Sequence, residues 1–138
     1  QKVPVAGAVV VTTPQPVAVA DARKGLVMFG KVGIAALGVV ENMATHVCSH
    51  CGHEEAIFGS GGGEVLAREA GVPFLGRLPL DMRIREEADS GRPTVVSAPE
   101  TPRAASYMEF ARRTAGVLAT RPRDRSGAFP GVVVERTQ

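Results

Sequence analysis

Two valine-rich apolar runs, separated by one stretch of helical periodicity, constrain this chain more than any other feature. Val5 to Thr13 reads VAGAVVVTT, and Ile34 to Glu41 reads IAALGVVE. A strand that is apolar at nearly every position, instead of every second one, is buried on both faces, which is the condition of strands in a parallel sheet. Between the runs, Val19, Ala22, Leu26 and Phe29 recur at three- and four-residue spacing, with Asp21, Arg23 and Lys24 falling between them. That spacing predicts an amphipathic helix that stops near Gly33. Strand, helix and strand in this order make a βαβ unit, the crossover that a parallel pair requires.

The alternation continues downstream. Met43 to Gly63 breaks the periodicity and carries three histidines, both cysteines and the glycine cluster GSGGG. It is predicted to be a long loop, and long loops inside compact domains are usually functional. Glu64 to Ala70 predicts a short helix, Pro73 to Leu78 a third strand, and Met82 to Asp89 a helix capped by Asp81 and stopped by Gly91. Thr94 to Ser97 reads as a short extended piece. Thr101 and Pro102 open a longer helix with Ala104, Met108, Ala111, Ala115 and Leu118 on one face. From Thr120 to Gln138, the basic TRPRDRSG and the apolar FPGVVVERT predict a flexible linker and a short strand. The domain reading is therefore one unit over residues 1–119, containing a metal-binding loop at 43–63, with 120–138 appended.

Composition narrows the function. With 138 residues and 44% hydrophobic content, the chain can build one modest core. A net charge of +2 and 4% aromatic residues supply neither the basic footprint nor the stacking side chains of a nucleic-acid binder. No apolar run reaches the roughly 20 residues of a membrane span, and no leader pattern opens the chain. The expectation is a cytoplasmic protein with neither nucleic-acid nor membrane partners. Because the chain opens on Gln1 and runs straight into a strand, something is expected to precede it. The first strand would then be an exposed edge that invites pairing.

Chemistry concentrates in His46, Cys48, His50, Cys51 and His53, just beyond the carboxyl end of a buried parallel strand, where sites form in open α/β sheets. Several readings are open for the thiols. Two cysteines and two histidines match a zinc ion in number, but their tight spacing is poor for a tetrahedral intrachain site. A redox dithiol needs its first cysteine at a helix N-terminus, and no helix pattern starts at Cys48. The pair could be two reduced thiols without a task. Or two chains could each lend two thiolates to one centre, because four cysteines ligate a 4Fe-4S cluster and a symmetric dimer supplies them from one C-x-x-C. The glycine cluster is no phosphate loop: Glu64 and Val65 follow Gly63 where Lys and Ser or Thr are required. Its glycines instead let the chain turn sharply into the next helix.

The wording of the loops is itself diagnostic. TTPQ, DARKG, MF, GVVENM, the C-x-x-C followed by GH, IFG, PFLGRLPLD and IREEADSGRP run from about Val5 to Leu118. Together they resemble the C-terminal half of the Mrp/ApbC family of iron-sulfur cluster carrier ATPases, which are MinD-like P-loop proteins. The resemblance implies an α/β fold: the C-terminal half of a doubly wound, mostly parallel sheet with flanking helices. It implies that Cys48 and Cys51 ligate a labile 4Fe-4S cluster, shared with the same two residues of a second copy in a homodimer and passed to apo iron-sulfur client proteins. It also implies that Asn42 lies near the adenine of ATP, with Pro79, Leu80 and Asp81 as the other wall. No catalytic residue is assigned, because the Walker A loop that would hold ATP and Mg in the full-length parent does not occur in these 138 residues. Hydrolysis would belong to that parent. The rival reading is a zinc-linked dimerisation module without enzymatic role. A MinD-like positioning role is disfavoured, since no basic amphipathic helix of the membrane-targeting type ends the chain.

Overall fold

The computed structural model describes residues 5–48 and 50–122. The first βαβ unit forms as its periodicity predicts, with β1 at Ala8–Thr12, α1 at Pro16–Lys31 and β2 at Ala36–Glu41. Pro16 opens α1 at a position where a missing N–H costs nothing. The helix closes when Gly33 takes a φ of 71° and the Ile34 N–H returns to the Phe29 carbonyl at 2.9 Å. Then follow two short strands, β3 (His46–Val47) and β4 (Glu54–Glu55), helix α2 (Gly62–Glu69), strand β5 (Phe74–Arg77), helices α3 (Met82–Asp89) and α4 (Thr94–Ser97), and the closing helix α5 (Pro102–Ala119).

Strands β1, β2 and β5 make a parallel sheet in the order β1-β2-β5. Successive residues send their side chains to opposite faces, and both faces are covered. Val10, Val39, Leu66 and Ala67 form the core of one face, packed by Val19, Ala22, Leu26 and Phe29 of α1. Val40, Leu75 and Leu78 form the core of the other, packed by Tyr107, Phe110 and Val117 of α5. This is the doubly covered α/β layering expected from the apolar runs. Strand β1 is an edge of the described sheet, and its Val11 is 58% exposed.

Three expectations are corrected. The segment Thr94–Ser97 is one turn of helix, not an extended piece, because the Ser97 and Ala98 N–H groups bond back to the Pro93 and Thr94 carbonyls. The inward face of α5 is Ala104, Tyr107, Phe110 and Val117, while Met108 and Leu118 are 44% and 42% exposed. Both sets have helical spacing, and the larger apolar area of the two aromatic rings decides which one meets the sheet. The long loop is not wholly irregular, since β3 and β4 pair as an antiparallel hairpin inside it. The two predicted caps form: the Asp81 side chain accepts from the Arg83 N–H at 2.8 Å, and the Thr101 hydroxyl accepts from the Ala104 N–H at 3.4 Å. Among the described residues, no helix is long and apolar enough to cross a membrane. The linker and strand expected at 120–138 lie, from residue 123 onward, outside the described residues.

Candidate metal centre

Thr12, Glu41 and Arg77 stand side by side in register, so the three parallel strands end together. The chain leaves β2 through Asn42, whose N–H donates to the Thr12 carbonyl at 2.7 Å and whose Oδ1 accepts from the Met43 N–H at 2.9 Å. From there the outgoing arm of the loop runs beside the segment that follows β5. The Ala44 N–H bonds the Leu78 carbonyl at 3.0 Å, the Leu80 N–H bonds the Thr45 carbonyl at 2.8 Å, and His46 Nδ1 lies 3.1 Å from the Leu80 carbonyl. Asn42 and the Pro79-Leu80-Asp81 turn, far apart in sequence, are thus the ends of two adjoining segments. Asp81 is engaged as the cap of α3 and Leu80 is engaged through its backbone, so the turn offers apolar surface more than free polar groups. Asn42 retains its amide donors.

The thiols sit at the tip of the β3–β4 hairpin. His46 pairs with Glu55 and Val47 with Glu54. The Cys48 N–H then donates to the His53 carbonyl at 2.9 Å, and the Gly52 N–H donates to the Cys48 carbonyl at 2.8 Å. Gly52 closes that turn with a φ of 72°, a value that glycine reaches without strain. Cys51 is exposed and Cys48 partly so, and both are free thiols. The nearby backbone N–H groups of His50 and Cys51, with the Cys51 side chain, favour the Cys48 thiolate and lower its pKa from the ordinary thiol value of 9.0. Donors that favour the thiolate favour the form that binds metal. Among the described residues, no third His, Cys, Asp or Glu joins the pair to complete a site for a metal ion. His50 and His53 are exposed, and His46 faces the Leu80 carbonyl at the hairpin's base.

The returning arm is held by a residue that sequence reasoning passed over. Glu41, the last residue of β2, is fully buried. Its carboxylate accepts from the Gly63 N–H at 2.7 Å and the Gly61 N–H at 3.3 Å, and Arg77 Nε lies 3.5 Å away. Arg77 also pairs with Glu64 and stacks over the Phe74 ring. The glycine cluster makes this close approach feasible. A Cβ on Gly62 would meet the Pro14 carbonyl oxygen at 2.5 Å, and one on Gly63 would meet Glu41 Cβ at 3.0 Å. The available signal was an acidic residue closing an otherwise apolar strand, because a buried carboxylate must find donors.

A family model, ParA, described as NUBPL iron-transfer P-loop NTPase, matches residues 1–115. The chain belongs to this family. It is 61% identical, over 111 residues, to the iron-sulfur cluster carrier protein of Pseudomonas fragi, a match that covers 80% of the chain and 39% of that protein. The chain thus spans well under half the length of that relative. Among solved structures, it is similar to the cell division ATPase MinD of Pyrococcus furiosus, with a TM-score of 0.63 at 27% identity over 80% of the chain and 43% of MinD. It is also similar to a nucleotide-binding protein of Archaeoglobus fulgidus in complex with ADP, with a TM-score of 0.58 at 35% identity over 75% of the chain and 40% of that protein. The sheet and its flanking helices are therefore those of the MinD-like P-loop NTPases, the fold that the loop motifs implied.

Proposed function

We propose that this chain is the thiolate-bearing part, within residues 1–119, of an iron-sulfur cluster carrier ATPase of the cytoplasm. Cys48 and Cys51 would hold a labile 4Fe-4S cluster together with the same pair from a second copy. The observation that carries this reading is the exposed hairpin tip, which presents Cys48 and Cys51 as two free thiols on one turn closed by the Gly52 N–H to the Cys48 carbonyl. Two cysteines of a C-x-x-C supply two of the four thiolates that a 4Fe-4S cluster takes. The carrier name of the Pseudomonas fragi relative supports the same cargo. A cluster held at an accessible tip by few protein ligands can leave by exchange of thiolates, each incoming client cysteine replacing one outgoing ligand and releasing its proton to solvent.

Nucleotide would sit at the strand ends. The Asn42 amide would hydrogen-bond the adenine edge, with Pro79 and Leu80 as an apolar wall and Asp81 capping α3 behind it. The ADP complex of the Archaeoglobus fulgidus protein supports a nucleotide on this fold. Phosphate and magnesium binding, and hydrolysis with them, would require the P-loop of the parent protein.

The test is anaerobic reconstitution of the intact protein with iron and sulfide, with native mass measured alongside. About two irons and two sulfides per chain in a dimer is the expected result, lost on Cys48→Ala or Cys51→Ala. Tight zinc binding with no cluster would replace the carrier reading with a zinc-linked dimerisation module. In the same protein, Asn42→Ala should weaken ADP binding roughly tenfold; unchanged affinity would remove Asn42 from the adenine site.

A further inference from the structure

Glu41 is a fully buried charge that the cluster chemistry above does not use. Burial of a carboxylate is unfavourable unless its oxygens are satisfied, and breaking such an arrangement by removing one partner leaves the rest uncompensated. Here both hydrogen bonds to the carboxylate come from the glycine turn where the thiol loop rejoins the fold. Gly63 and Gly61 donate to the two carboxylate oxygens at 2.7 and 3.3 Å, and Arg77 approaches from the neighbouring strand. The residue that follows β2 is Asn42, which begins the outgoing arm and is itself bonded to β1. One residue at the end of β2 therefore sits between both feet of the loop that carries Cys48 and Cys51.

We propose that Glu41 is the positioning residue of the thiol loop. Its carboxylate fixes where the returning arm lands and thereby ties the placement of the Cys48–Cys51 hairpin to the end of the strand that carries Asn42. This rests on the reading of the cysteines as metal ligands. The outgoing arm is anchored independently, by the Ala44 N–H donating to the Leu78 carbonyl and the Thr45 carbonyl accepting from the Leu80 N–H. Loss of the Glu41 contact should therefore loosen the hairpin from one side only, so that the thiols still bind metal but release it faster. Arg77, 47% exposed, touches the buried carboxylate and also pairs with Glu64 just beyond the glycine turn.

The test uses Glu41→Gln in the intact protein, with cobalt(II) as the probe, since thiolate ligation gives it a charge-transfer absorption. The glutamine keeps an oxygen for one N–H and loses the charge. Cobalt absorption per chain should be retained, while its release to a chelator and the amide exchange of Gly61 and Gly63 rise roughly tenfold, the difference between a charge-assisted and a neutral hydrogen bond. Amides of β1 and β2 should exchange at the parent rate. Arg77→Gln should produce a smaller change in the same direction, and its effect should be smaller still in the Glu41→Gln background, where only the Glu64 contact is left to lose. Unchanged cobalt release in Glu41→Gln would overturn the proposal. So would acceleration of β1 and β2 exchange together with the loop, which would make Glu41 a general core residue. Cys48→Ala separates the two levels: if it leaves cobalt absorption intact, the metal reading of the cysteines is what fails.

Discussion

The parallel sheet and the thiol hairpin are built on opposite terms within one chain. In the sheet, Val39 and Val40 of β2 are wholly buried and face two separate cores. In the hairpin, two residues pair with two, and every residue from His50 to Ile57 is exposed. Apolar burial holds the first together. The second is held by a handful of hydrogen bonds and by the way its two arms are fastened to the sheet. The contrast suits the proposed carrier role: a site that exchanged its ligands with another protein could not be covered, so its order would have to come from its anchorage.

Four measurements sharpen or break this contrast, beginning with the largest effect. Leu66 is fully buried where α2 meets the sheet, and Leu66→Ala should cost about 3 kcal/mol in urea unfolding. A loss below about 1 kcal/mol would mean that the core is not where stability resides. Gly62, at the junction of loop and core, comes next. Gly62→Ala places a methyl group against the Pro14 carbonyl and should cost about 1–3 kcal/mol in the same assay. Equal stability would show that the returning arm is free to shift.

A third measurement concerns the clasp between α3, α4 and α5. The Thr94 hydroxyl, and then Arg103, bond Glu87 and hold its carboxyl below the usual 4.5. Because the folded pKa is depressed, the unfolded chain binds more protons over the range between the two values. This contribution is therefore complete above about pH 4.5 and lost as the pH falls through the lower, folded value. Glu87→Gln should flatten the acid limb of stability measured by urea midpoints from pH 3 to 7, leaving the loop unaffected; an unchanged limb would deny the clasp this role. The smallest effect lies in the hairpin. Site-resolved alkylation should show Cys48 becoming reactive at lower pH than an ordinary thiol, without any change in global stability. A Cys48 profile centred at or above 9.0 would remove the backbone N–H groups as the source of its thiolate character.

Much of the fold was legible because its signals are local. The apolar runs of β1 and β2, the Pro16 start, the Gly33 stop and the caps at Asp81 and Thr101 each act within a few residues of where they are read. The short turn at Thr94–Ser97 reads as extended in the sequence because β-branched residues in a four-residue window carry no period with which to separate strand from helix. The face of α5 is not legible in the sequence because two stripes share its spacing, and only the sheet opposite selects Tyr107 and Phe110. At the site, the C-x-x-C was plain in the sequence, whereas its setting was not.

The sequence by itself determined the strand-helix alternation, the thiol pair and the glycines beyond it, since residue type and spacing are sufficient for each. Only the tertiary structure decided that the Asn42 arm runs beside Leu78 to Leu80, that the cysteines crown a two-residue hairpin, and that Glu41 holds the turn at Gly61 and Gly63. The physical reason is that the contacts of the Asn42 arm and of Glu41 join residues about 20 to 35 positions apart, and the hairpin between them has only two paired residues on each side. A hydrogen bond between such residues leaves no periodicity behind, and a buried carboxylate at a strand end reveals its purpose only once its donors have been folded against it.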